Sequence, residues 1–415
     1  MREFLLLAAL FSFISSNAQI IEKVEPPHIR TIQFSAGAQL SELPIINLGE
    51  TLRLSFDDIN GDEADYYYRI THHNFDWTES DLSKGEYLDG FDDVRLEIYE
   101  NSLNSLQLYS HYTLTIPNRE TRRLKKSGNY LISFFDDDGN LVFTRKFMIK
   151  EQIVSVPVEI KRARDLKYIN EKQSVHFTIN SPNLLLINPK TNVKTLVLQN
   201  SNLKTAITDL KPQYTIGTEL IYRYDAESSF WGGNEFHFFD SKELRGANNT
   251  IRRVELTDLY EHYLFTRLSR ADVPYTYNPD INGNFVVRSF RAQNQAIEAE
   301  YIRMHFALNY YEDIGDKEIH IYGNFNNWCI DESTWMRYDE KTDSYRATRL
   351  FKQGFYNYRF VLVDRDGSVD EGAIGGNFWQ TENDYSVVVY YRGPGERFDR
   401  IIGYGKGNSS VITNN

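Results

Sequence analysis

Apolar and polar residues alternate with a period of two through much of this 415-residue chain. Leu52, Leu54 and Phe56 alternate with Thr51, Arg53 and Ser55; Val175, Phe177 and Ile179 alternate with Ser174, His176 and Thr178. Ile302, Met304, Phe306 and Leu308 repeat the pattern, as do Tyr356, Tyr358, Phe360 and Leu362. Successive strand side chains point to opposite faces, so such a chain forms strands with one face in a core and one toward solvent. Aromatic residues make up 14%, with 28 Tyr and 26 Phe, and both types suit a half-buried pleated surface. Turn chemistry separates the runs. Asp136-Asp137-Asp138-Gly139-Asn140 divides Leu131–Phe135 from Leu141–Phe147, and Asp364-Arg365-Asp366-Gly367 follows Phe360–Val363; in each, Gly is available for a positive φ. The predicted fold class is all-β, with three consecutive immunoglobulin-like β-sandwich domains.

The chain opens Met1-Arg2-Glu3, continues with an apolar run from Phe4 to Ile14, and then reads Ser15-Ser16-Asn17-Ala18. A charged start, a short apolar stretch and small residues before a cut after Ala18 describe a secretory signal peptide. Residues 1–18 are therefore expected to be removed. The mature chain divides into an N-terminal β-sandwich over 19–151, a middle β-rich domain over 152–284, a C-terminal sandwich over 285–392 and a polar tail over 393–415. No later run reaches the length of a membrane span. The mature protein is therefore expected to be soluble beyond the inner membrane, without direct membrane insertion, and held at any membrane by a partner and not by its own chain.

Composition narrows the functional classes. A net charge of −12 repels phosphate backbones and argues against nucleic acid as a partner. A single cysteine, Cys329, rules out an internal disulfide framework and a cysteine-built zinc site. Asp57-Asp58-Ile59-Asn60-Gly61-Asp62-Glu63 lacks the ligand spacing of a calcium loop. His72 and His73 are adjacent on a strand and point to opposite faces, so they do not converge on a metal. There is no G-x-S-x-G, P-loop or G-x-G-x-x-G motif. No catalytic residue, metal ligand or cofactor is expected, although a pair of acidic loop residues acting on a glycoside is a geometry that sequence does not display.

Two features point to recognition. Phe230 and Trp231 stand beside Gly232-Gly233; large aromatics on a Gly-flanked loop serve partner binding or are buried between domains. The second is Gly323-Asn324-Phe325-Asn326-Asn327-Trp328, followed by Tyr356-Asn357-Tyr358-Arg359. This segment resembles the glycogen-binding module of carbohydrate-active enzymes and kinase β-subunits, an immunoglobulin-like sandwich. The resemblance makes Trp328 a possible glycan platform and Arg359 a sugar contact; the alternative is a packed structural Trp328.

Taken in order, the signal peptide, His73-Asn74-Phe75-Asp76-Trp77, Asn234-Glu235-Phe236-His237-Phe238-Phe239-Asp240, Asp280-Ile281-Asn282-Gly283-Asn284-Phe285 and the Gly323–Trp328 segment resemble the plug proteins of the bacterial type IX secretion system over almost the whole mature chain. That resemblance implies a non-enzymatic protein whose partner is the large outer-membrane β-barrel translocon, and which occludes the periplasmic opening of that channel when no cargo is in transit. An exported glycan-binding protein using Trp328 is the alternative.

Overall fold

The structure is a computed structural model that describes residues 22–36 and 43–412. The expected signal peptide and its cut at Ala18 lie outside the described residues. The chain is all-β, as its alternation predicts; among the described residues the three α-helical segments are single turns of four residues each.

In the first sandwich, a four-stranded sheet orders Ile29–Ala36, Leu52–Asp58, Ser110–Ile116 and Tyr99–Asn101. It faces a five-stranded sheet of Ile45–Asn47, Leu141–Lys150, Gly128–Phe135, Tyr67–His73 and Val94–Arg95. Leu52, Leu54 and Phe56 are buried as their alternation requires. The Phe56 ring stacks on Tyr112 at 5.1 Å and meets Phe134 and Phe143 edge-on at 5.5 and 5.2 Å. Aromatic contacts of this kind add to the burial of area, and truncating such a side chain costs about 3–5 kcal/mol.

The other two sandwiches do not follow the linear division at residues 284 and 392. The middle sandwich pairs Lys172–Asn180 with Val158–Arg162, Glu219–Tyr222 and Ser229–Trp231. Its second sheet orders Ile207–Thr208, Val193–Gln199, Asp384–Tyr391 and Arg400–Asn408. The last two strands come from the end of the chain, where the third unit and a polar tail were expected. Asp384–Tyr391 pairs along the full length of Val193–Gln199, and Val387, Val389 and Ile402 join the same core as Val175 and Phe177. Conversely, His237–Asp240, Ile251–Leu256 and Tyr260–Leu264 belong to the eleven-stranded sheet of the third sandwich. That sheet surrounds a core including Phe239, Met304, Phe306, Ile321, Phe351 and Tyr358.

Each sandwich touches both others. The first meets the third where Tyr109 Oη donates to the Ala299 carbonyl at 2.9 Å and the backbone N–H of Leu106 donates to the Glu300 carboxylate. It meets the middle one through an apolar cluster of Trp77, Met148, Leu196, Val388, Tyr390 and Ile401. Middle and third join where Asn202 Nδ2 donates to Tyr322 Oη at 3.1 Å and Phe378 N donates to the Gly233 carbonyl at 2.8 Å.

Candidate partner-binding surface

The four sequence motifs lie at these junctions. Asn74-Phe75-Asp76-Trp77 forms a tight turn after the strand Tyr67–His73, closed by Trp77 N–H donating to the Asn74 carbonyl at 3.0 Å. Asp399, buried, accepts the Phe75 N–H at 3.0 Å and pairs with Arg392 at 2.9 Å; Arg392 also donates to Asn74 Oδ1 at 2.7 Å. A carboxylate removed from water needs such partners. Here they fix the turn of the first sandwich onto the middle one.

The remaining three motifs form a single knot. Phe236 lies with the Arg359 guanidinium 3.7 Å from its ring centroid and Trp328 at 6.0 Å. Gly283 packs at that contact, with φ +83° and a Cβ position that would fall 2.2 Å from Trp328 Cη2. Only glycine meets both demands. Asn324 Nδ2 donates to Asn284 Oδ1 at 2.6 Å, while Asn357 Oδ1 accepts from the N–H groups of Ile281 and Gly283. Asp280 accepts the N–H groups of Phe236 and Asn282. Burial pushes its carboxyl up to about 7 against those two hydrogen bonds. Burial also raises Glu235, whose carboxylate accepts from Tyr275 Oη and from the Glu382 N–H.

This packing corrects the glycan assignment. Trp328 is 5% exposed, enclosed by Phe236, Tyr322, Val361 and Val363, so it presents no face on which a sugar ring could stack. Arg359 is 8% exposed and held by Glu371 at 2.9 Å. The motif resembles a sugar-binding strand end, but its aromatic is spent on packing.

Phe230 and Trp231 separate. They lie not on a loop but on the short strand Ser229–Trp231, paired with Lys172–Ser174. Phe230 is 5% exposed and packs against Tyr385 at 5.5 Å in the middle core, with part of its side chain lining the cleft that Trp231 faces. Trp231, one position on, faces the other way and is 46% exposed. It lines a cleft of about 430 Å³ between the middle and third sandwiches, with Lys172, Gln199, Asp370, Glu371 and Asn377. Lys172 Nζ lies 4.3 Å from the Trp231 ring centroid and Tyr168 meets the ring edge-on at 5.5 Å. Trp is enriched among the residues that anchor protein interfaces. The other lining residues come from separate segments of the sequence. No local pattern announces them.

His72 and His73 hold different partners. His72 bonds Ser80 and the Ser127 carbonyl, and His73 bonds Thr71 and the Trp77 carbonyl. Burial lowers the pKa of both. Among the described residues no group of three or more His, Cys, Asp or Glu is placed to hold a metal ion, and no helix is long and apolar enough to cross a membrane.

Comparison with known proteins adds the family. A family model for the type 9 secretion system plug protein 1st domain matches residues 29–151. No curated protein matches the chain. Among solved structures, the 2.30 Å crystal structure of a hypothetical protein from Parabacteroides merdae ATCC 43184 is 31% identical, with a TM-score of 0.89 over 94% of this chain and 99% of that one. The BSP domain of a biofilm-associated protein, at 8% identity and a TM-score of 0.16 over 94% of this chain and 61% of that one, is too different to carry an argument. On the family-model match over the first sandwich, this chain belongs to the type 9 secretion system plug protein family.

Proposed function

We propose that this chain is a non-enzymatic periplasmic plug. It binds the outer-membrane translocon of the type IX secretion system, a large β-barrel, and blocks the periplasmic opening while no cargo passes. The observation that carries this reading is the plug-family match over residues 29–151. The packing supports it. Occlusion requires a body that holds its shape under load, and each sandwich here is fixed to both others by buried hydrogen bonds, ion pairs and ring contacts. Interfaces this well satisfied resist the hinge motion that separate domains ordinarily show.

Trp231 and its cleft form the contact surface in this reading. A rigid aromatic with polar neighbours gives contact area at little entropic cost. Affinity purification of the tagged chain from gently solubilised outer membranes tests the assignment. Near-stoichiometric recovery of a very large β-barrel is the expected result. Recovery of the chain alone, with the barrel demonstrably intact in the extract, would overturn it. A glycan-binding reading loses its basis, because the aromatic it depends on is buried.

A further inference from the structure

A cleft of about 330 Å³ opens between the first and third sandwiches and shares no lining residue with the Trp231 cleft. Its floor is the outer face of the four-stranded sheet of the first sandwich. Leu52, Leu54 and Phe56 turn into the core, so Arg53, Ser55 and Asp57 turn outward. The strand register sets Gln33 opposite Ser55, Ser35 opposite Arg53 and His111 opposite Asp57 on that face. The third sandwich covers the Asp57 end with Asn294 and Lys352, while Arg53 stays exposed at the other.

No carboxylate lines this cleft, although the chain has a net charge of −12. Asp57 lies beneath it, engaged by Lys352, His111 and Tyr301. Glu298 turns back to the N–H groups of Gln293 and Asn294. Lys352 and Arg53 face the single charge of Asp57, so one positive charge is in excess. The Lys352 ammonium is already held by Asp57, the Ala296 carbonyl and the face of Tyr109; it supplies field, not contact.

Contact falls to other groups. Among the described residues the side chains of Arg53, Gln33, Ser35 and Ser55 make no hydrogen bond or ion pair. His111 directs Nδ1 to Asp57, which leaves Nε2 for the cleft. Ser55 is 7% and His111 6% exposed, and polar groups so enclosed ordinarily have a partner. The same wall is strained. Thr31 sits in a bulge at φ +52°, rare for a β-branched residue, and its Oγ1 donates to Tyr301 Oη at 2.7 Å. Strain of this kind gathers at binding sites.

We propose that this cleft binds a small polyhydroxylated carboxylic acid, its carboxylate on the Arg53 guanidinium and its hydroxyls on Gln33, Ser35 and Ser55. One excess positive charge matches a monoanion, and the guanidinium fork fits the two oxygens of a carboxylate. Hydroxyl and amide side chains both donate and accept, as sugar-like hydroxyls require. The volume is at the small end of the range for ligand sites, roughly 300–1,000 Å³. The site is independent of the plug reading.

Isothermal titration at low ionic strength with gluconate and with glucuronate tests the proposal, with sorbitol and glucose as uncharged counterparts and inorganic phosphate as the competing anion. Saturable binding of at least one of the acids is expected, with a dissociation constant of about 1 mM or tighter, and none of sorbitol or glucose. Arg53→Gln should weaken it by roughly tenfold or more and keep the native urea midpoint, because the side chain is exposed. Arg53→Lys should recover part of the loss, and Ser55→Ala should weaken binding less than Arg53→Gln does. Neither heat nor a rise in thermal midpoint with either acid would overturn the proposal, as would equal affinity in Arg53→Gln. Tighter binding of phosphate than of both acids would overturn the carboxylate assignment.

Discussion

Lys352 Nζ lies 2.7 Å from Asp57 Oδ2, and both side chains are 1% exposed. Asp57 belongs to the first sandwich and Lys352 to the third, so a buried ion pair ties parts of the chain 295 positions apart. His111 Nδ1 at 2.6 Å and Tyr301 Oη, donating at 2.6 Å, complete the carboxylate's partners. Burial alone would raise the Asp57 carboxyl. The Lys352 ammonium and His111 outweigh it and hold the group below the usual range. The acidic run beginning at Asp57, which lacks the spacing of a calcium loop, thus supplies an interdomain bond.

Removing one partner of such a pair leaves an uncompensated buried charge. Lys352→Met is expected to destabilise the protein by about 3–5 kcal/mol, read as a drop in urea midpoint at pH 7. Asp57→Leu/Lys352→Met should recover much of that loss, because both charges are gone. For the native pair the sign with pH is fixed by the lowered carboxyl: its contribution is present above the ordinary Asp value of about 4 and is lost as pH falls through the folded value.

Asp280 has the opposite dependence. Its folded pKa is raised to about 7, so between about pH 4 and 7 the unfolded chain is ionised while the folded group keeps its proton. Stability from this group therefore falls as pH rises through that window, by at most about 1.4 kcal/mol per pH unit. Asp280→Asn should flatten the window while leaving stability below pH 4 nearly unchanged, as measured by denaturation midpoints from pH 4 to 8.

Gly283 and Trp328 give a prediction about packing and ligand together. Gly283→Ala forces a Cβ toward the Trp328 ring at φ +83° and is expected to cost roughly 2–5 kcal/mol, from strain and overpacking combined. Isothermal titration of the native protein with a soluble α-glucan should show no heat of binding, because the indole is enclosed. Saturable binding abolished by Trp328→Ala, with the fold intact, would contradict the burial argument.

Much of the architecture is legible in these residues, and what is not has identifiable causes. Val175, Phe177 and Ile179 enter the core as their alternation predicts. The last strand is different. Ile401-Ile402-Gly403-Tyr404-Gly405-Lys406-Gly407 reads as a tail because glycine contributes no apolar signal. Those glycines are what the packing demands, since a Cβ on Gly405 would fall 2.0 Å from the Val156 carbonyl and one on Gly403 2.4 Å from Val154 Cγ2. The pairing of Val193–Gln199 with Asp384–Tyr391 has no local code, because each strand would suit many partners. At the candidate surface the aromatic pair is visible in sequence, but which member faces outward depends on the register of Ser229–Trp231 against Lys172–Ser174.

Trp231→Ala separates recognition from stability. A half-exposed side chain at a sheet edge contributes little to the core, so the variant should keep its unfolding free energy to within about 1 kcal/mol. Capture of the translocon should fall by tenfold or more if Trp231 is an interface anchor, since such residues commonly contribute about 2 kcal/mol or more. Phe230→Ala should do the reverse, destabilising the middle sandwich by about 3–5 kcal/mol.

The most direct test of the plug is outer-membrane permeability in a strain lacking this chain while the translocon is still made, measured by uptake of a large hydrophilic fluorophore or antibiotic. The account predicts a leak that appears on deletion, disappears when the native chain is restored and persists when only Trp231→Ala is restored. Unchanged permeability in the deletion strain, with the channel present at its normal level, would contradict it.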